Sequence, residues 1–88
     1  MRRSADWMTI ADERILEFLA EEGPHSPSKI AEDERVHFTA EYVGRRCRKL
    51  ADYGLTRNIG NGVYQITEDG KQYLTGELDA SELEGDEN

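Results

Sequence analysis

The feature that most constrains this chain is the order of two signals within residues 39–66. A cap-led helical segment, "TAEYVGRRCRKLADYG", runs directly into two short β-prone stretches, "LTRNI" and "VYQI", separated by "GNG". Thr39 can cap the helix, and Gly54 supplies the left-handed position that ends it. Gly60, Asn61 and Gly62 tolerate the positive φ of a tight hairpin turn. With 88 residues in all, the chain has room for one small domain and a thin core.

What precedes and follows this unit is helical. In "TIADERILEFLAEEG", Ala11, Ile15, Phe18 and Leu19 share one stripe at helical spacing, with Leu16 and Glu22 at its margins. Thr9 is the expected cap, Asp12 a short version of the capping-box acid, and Gly23 with Pro24 the stop. "HSPSKIAEDERV" predicts a short second helix, capped by Ser26 and led by Pro27, that turns Ile30 and Ala31 inward. After the hairpin, Thr67 caps a last helix, "EDGKQYLTG", which points Tyr73 and Leu74 at the core and is weakened by Gly70. The expected class is α+β, mainly α. Its order is helix, helix, helix, strand, turn, strand, helix: a winged helix-turn-helix over residues 9–76, with an N-terminal arm at 1–8. Residues 77–88, "ELDASELEGDEN", hold six carboxylates and no Lys or Arg. They are expected to form a disordered acidic tail, although Leu78 and Leu83 offer docking points.

Charge is placed unevenly on this frame. Residues 35–57 carry six basic and two acidic side chains, against five basic and seventeen acidic elsewhere, in a chain of net charge −8. Four of the five residues at 45–49 are cationic, with Cys47 alone among them. At 100° per residue, Val43, Cys47 and Leu50 lie within about 60° of one another and form the buried stripe. Glu41, Arg45, Arg48 and Asp52 fall opposite, with Lys49 beside them, while Tyr42 and Arg46 flank the stripe.

In a winged helix-turn-helix the third helix lies in the DNA major groove and the hairpin reaches over the backbone toward the minor groove. Arg45, Arg48 and Lys49 are therefore the expected contacts of helix 39–53, through guanine edges or phosphates. Thr39, Glu41 and Tyr42, near the start of that helix, can reach bases or phosphates. Arg57, Asn58 and Asn61 are the candidates on the wing, 55–66. Arg46 suits either a phosphate contact or packing over the core. The competing account of Arg45 and Arg48 is a solvated face whose cations pair with Glu41 and Asp52 at four-residue spacing.

No catalytic pattern stands out. Cys47 falls with the apolar stripe, where cysteine acts as a small hydrophobic residue. His25 and His37 stand twelve apart with no other ligand at metal spacing, which argues against a metal site. No phosphate-binding glycine loop or nucleophile motif is present, and no cofactor or small-molecule ligand is indicated. Neither a signal peptide nor an apolar run of membrane-spanning length is found, so a cytoplasmic protein without a membrane partner is expected. Trp7 and Met8 either staple the first helix or form half of a dimer contact. A homodimer on double-stranded DNA is the expected assembly. The alternative is a winged-helix interaction module whose cationic helix binds an acidic partner protein.

"ADWM", "DERILEFL", "YVGRRCRKLADYGL", "GNGVYQIT" and "GELDASELE" together resemble the winged-helix transcription regulators of haloarchaea described as phage phi-H repressor-like. The resemblance spans nearly the whole chain. It implies a small archaeal DNA-binding regulator, acting as a repressor, and it fits the excess of acidic over basic residues, 19 to 11. The chain departs from the pattern over residues 30–42, where "AEDERVHFTAE" is long for a helix-turn-helix elbow and lacks a turn glycine.

Overall fold

Three helices pack around a shared apolar centre, and a two-stranded hairpin with a fourth helix closes it. The computed structural model describes residues 1–84. Its elements are α1 (Ile10–Glu22), α2 (Pro27–Ala31), α3 (Ala40–Asp52), β1 (Thr56–Asn58), β2 (Tyr64–Ile66), α4 (Glu68–Thr75) and a short 3-10 helix (Ala80–Glu82). This is the expected winged helix-turn-helix, mainly helical, with one antiparallel hairpin.

The caps act where the sequence places them. Asp12 Oδ2 accepts from the Thr9 N–H at 2.8 Å, Ser26 Oγ from Lys29 N–H at 3.3 Å, Thr39 Oγ1 from Tyr42 N–H at 3.1 Å and Thr67 Oγ1 from Gly70 N–H at 3.1 Å. Each supplies an acceptor to a backbone donor that the helix cannot satisfy internally. Ile15, Leu16 and Leu19 of α1 meet Val43, Cys47 and Leu50 of α3, with Ile30, Leu55 and Tyr73 filling the remaining sides; all are buried. A fully buried Leu or Ile contributes about 1.5–3 kcal/mol through removal of apolar surface from water. These few side chains therefore fix α3 on the body.

The elbow between α2 and α3 has no glycine, and His37 takes the left-handed conformation instead, with φ 57°. Val36 beside it is buried and pins the turn from inside. From outside, Arg35 ties the turn to the end of α1 through Asp33 at 2.8 Å and Glu21 at 2.6 Å.

The wing pairs Thr56 with Ile66, Arg57 with Gln65 and Asn58 with Tyr64. Val63 N–H donates to Gly60 O at 3.0 Å across the turn, with Asn61 at φ 55° and Gly62 at φ 72°. Two successive positive φ values match the twist of the strands they join. His25 exchanges two backbone hydrogen bonds with Tyr64, at 3.1 and 2.9 Å, and so extends the hairpin by one bridge.

One expectation needs correction. Gly70 is a packing requirement more than a weakness: its bare backbone lets α4 approach Leu55, just before β1, and Ile66 of β2, and a Cβ there would lie 2.4 Å from the Leu55 carbonyl oxygen. The acidic segment packs back on the body as far as Leu83. Gly76, at φ 86°, turns the chain back, Ala80 N–H donates to Arg3 O at 2.9 Å, and Ala80 is buried. Leu78 and Leu83 pack on the core from the same side. These contacts join the two ends of the chain and recover apolar surface that composition alone undervalues. The remainder of the expected tail, residues 85–88, lies outside the described residues.

Candidate nucleic-acid interface

The outer face of α3 is built by the same residues that bury its inner one. Val43, Cys47 and Leu50 are fully buried, which leaves Arg45 and Arg48 exposed on the far side. Burial away from water pushes the Cys47 thiol up to about 12, so it is a neutral core group. The Cys47 carbonyl accepts from Thr56 Oγ1 at 3.0 Å, which ties the base of the wing to the centre of α3. Helix and wing are thereby held as one unit.

Each candidate residue has a definite setting. Arg45 is exposed, with its guanidinium carbon 5.6 Å from the centroid of the Tyr42 ring, and Tyr42 leans on Phe38 at 5.3 Å. Arg48 is exposed one turn further along α3. Lys49 is half-buried, its ammonium 5.6 Å from the Tyr53 ring centroid. Thr39 is exposed but its hydroxyl caps the helix, and Glu41 is exposed in the first turn. On the wing, Arg57 is exposed and donates to Gln65 Oε1 at 3.0 Å, while Asn58 Oδ1 accepts from Gly60 N–H at 2.8 Å. Asn61 forms the turn itself. Asn58 and Asn61 thus shape the hairpin tip, and Arg57 is the charged group it presents.

Arg46 leaves this set. Its Nε donates to Asp12 Oδ1 at 2.9 Å and its terminal nitrogen donates to Asp12 Oδ2 at 2.7 Å and to the Trp7 carbonyl at 3.0 Å. Asp12 is fully buried, and its hydrogen bonds hold the Arg46 guanidinium above its ordinary value. Of the two readings open for Arg46, an inward engagement is the one found. A charge-assisted, two-point bond to a buried carboxylate is costly to break, which favours a structural role for this side chain over a phosphate contact. Sequence reasoning saw Asp12 only as a cap. The available signal was its position on the apolar stripe of α1, three residues before Ile15 and seven before Leu19, facing an arginine at the margin of the stripe of α3.

Trp7 is also internal. Its ring stacks on Tyr53 with centroids 4.0 Å apart and planes 16° from parallel. Of the two roles open for Trp7, this contact within the chain favours the structural one.

The cations differ in their partners. Arg2, Arg14, Lys29, Arg35 and Arg46 form ion pairs with carboxylates. Among the described residues, Arg45, Arg48 and Arg57 have no carboxylate within 4.0 Å. The helical pairs that the solvated-face account requires, Glu41 with Arg45 and Arg48 with Asp52, do not close. Among the described residues, three unneutralised guanidinium groups thus lie on the outer face of α3 and on the wing attached to it, and a fourth, Arg3, lies on the N-terminal arm.

Comparison with known proteins agrees with this architecture. The family model described as winged helix-turn-helix phage repressor matches residues 1–86. The repressor protein of Halobacterium phage phiH is 30% identical over 90 residues, covering 96% of this chain and 98% of that protein. The crystal structure of the PhiH1 repressor-like protein from Haloarcula marismortui superposes with a TM-score of 0.92 at 46% identity, covering 97% of each chain. The chain belongs to the winged helix-turn-helix phage repressor family, a class of DNA-binding, non-enzymatic regulators.

Proposed function

We propose that this protein represses transcription by binding a specific double-stranded DNA site. The helix α3 lies in the major groove and the wing follows the backbone toward the minor groove. The observation that carries the reading is the placement of charge: Arg45, Arg48 and Arg57, each with no carboxylate within 4.0 Å among the described residues, present exposed guanidinium groups on α3 and the wing attached to it. An arginine without a carboxylate partner is available for two-point bonds to guanine or phosphate. At 13 residues, α3 is about 20 Å long and suits a groove about 12 Å wide. Lys49, Thr39, Glu41 and Tyr42 border the same surface and complete the reading edge.

The protein acts in the cytoplasm as a homodimer. A twofold pair of recognition helices reads two half-sites about 10–10.5 base pairs apart, or a multiple of that spacing.

Selection of bound fragments from genomic DNA, followed by footprinting of the recovered site, tests the proposal. A protected site with twofold symmetry is expected, lost on joint substitution of Arg45→Ala and Arg48→Ala. Recovery of one acidic protein and no DNA fragment would overturn the reading and favour an interaction module.

A further inference from the structure

The ion pair between Arg46 and Asp12 borders the proposed reading face without belonging to it. Arg46 follows Arg45 directly and precedes Arg48 by two positions, so any change in its setting turns both. The apolar contacts of Val43, Cys47 and Leu50 hold α3 against the body, but such contacts are non-directional and tolerate a small rotation. The forked bond of Arg46 does not, because both nitrogens must meet both carboxylate oxygens. The acceptor is itself immobile: Asp12 is fully buried, and its Oδ2 also takes the Thr9 N–H at 2.8 Å. A third point, the Trp7 carbonyl, fixes the guanidinium plane.

We propose that Arg46 is a positioning residue for DNA reading: its attachment to Asp12 and to the Trp7 carbonyl sets the rotation of α3 about its own axis and thereby aims Arg45 and Arg48. The inference rests on the DNA-binding function proposed above. A rotation of about 20° moves atoms at the helix surface by about 2 Å. Hydrogen bonds to base edges occupy a narrower range than that. Phosphate attraction falls off more gently with distance, so the expected loss lies in specificity and spares general affinity.

The same attachment holds the N-terminal arm along α3. Tyr42, Arg46, Lys49 and Tyr53 follow one another at spacings of four, three and four residues, which places them on one edge of the helix. Trp7 stacks on Tyr53, whose ring also lies 5.6 Å from the Lys49 ammonium. The single tryptophan of the chain therefore reports on the lock.

The test compares the full-length protein with Arg46→Lys and Asp12→Asn, using the selected operator duplex and a scrambled duplex of equal length. Arg46→Lys keeps the charge but cannot make the forked bond. Asp12→Asn keeps the shape and an acceptor for Thr9 N–H. Should one variant fail to fold, the other still decides. Binding is measured well below the melting temperature of each, with tryptophan emission recorded on the free proteins. We expect operator affinity to fall at least tenfold while scrambled-duplex affinity changes less than twofold, with altered emission from Trp7. Equal losses on both duplexes would make Arg46 a phosphate contact and overturn the proposal. Unchanged operator affinity, with only the melting temperature lowered, would make the lock purely structural and also overturn it. If the wild-type protein itself binds no duplex, the DNA-binding function fails and the inference fails with it, an outcome distinct from loss in the variants alone.

Discussion

Gly70 packs against Leu55 with no room for a side chain: a Cβ on Gly70 would lie 2.4 Å from the Leu55 carbonyl oxygen and 2.6 Å from Cγ1 of Ile66. In an exposed helix interior, Gly→Ala gains about 1 kcal/mol from propensity. Here the new methyl meets backbone, which cannot swing aside as a flexible side chain can. Overpacking of this kind costs about 1–3 kcal/mol. Urea denaturation of Gly70→Ala is therefore expected to show a lower midpoint than wild type. A higher midpoint would mean that α4 can move off Leu55 and Ile66 at little cost.

Arg45→Ala and Arg48→Ala are expected to leave the fold intact, with stability within about 0.5 kcal/mol of wild type, because both side chains are exposed and neither pairs with a carboxylate among the described residues. DNA binding is expected to collapse in the double variant. If either arginine contacts phosphate, the slope of log affinity against log salt falls by about 0.9 for that contact; if it reads a base, specificity relaxes at one position instead. Thermal melting and salt titration of binding separate these outcomes.

The helices, their caps and the hairpin were legible in the sequence because each depends on local chemistry: Thr39 and Thr67 cap, Pro27 leads, and Gly60, Asn61 and Gly62 turn. The two faces of α3 were legible for the same reason, through the spacing of Val43, Cys47 and Leu50. What local chemistry does not carry is the identity of a distant partner. Arg46 and Asp12 are 34 positions apart, and only the packing of α1 on α3 makes them neighbours. Ala80 likewise looked like part of a solvated acidic run. Its burial follows from the backbone bridge between Arg3 and Asp79, which joins the ends of the chain. Gly70 was misjudged because helix propensity describes a helix alone, whereas its neighbour Leu55 lies outside that helix, fifteen residues earlier in the chain.

The elbow before α3 carries a pH-dependent contact. Hydrogen bonds from the Arg35 side chain and backbone lower Asp33 from 3.8 to about 2. A carboxylate depressed by folding contributes stability above its unfolded value, and that contribution is lost as pH falls through the folded one. Asp33 therefore supports the elbow fully above about pH 4 and ceases to do so near pH 2. Arg35→Ala is expected to flatten the acid limb of the stability profile between those values and to leave it parallel to wild type at higher pH. Chemical denaturation across pH 2–5 checks both parts. An unchanged acid limb would show that Asp33 is not held by Arg35 in solution.

Cys47 offers a probe of how firmly α3 stays on the body. The thiol is fully buried and raised to about 12, first by burial and then by the charge of Asp12, so at pH 8 it is both inaccessible and almost wholly protonated. Thiolate is the reacting form, and labelling by a thiol reagent should wait on an opening that frees the inner face of α3. The expected rate in native protein is slower than in the unfolded chain by a factor approaching the unfolding equilibrium constant. Variants that loosen α3 on α1, Arg46→Lys among them, should label faster in proportion to their loss of stability. Arg45→Ala, on the outer face, should label at the wild-type rate. Rapid labelling of the native wild type would mean that α3 lifts from the core without global unfolding, and a recognition helix so loosely held could not fix the aim of Arg45 and Arg48.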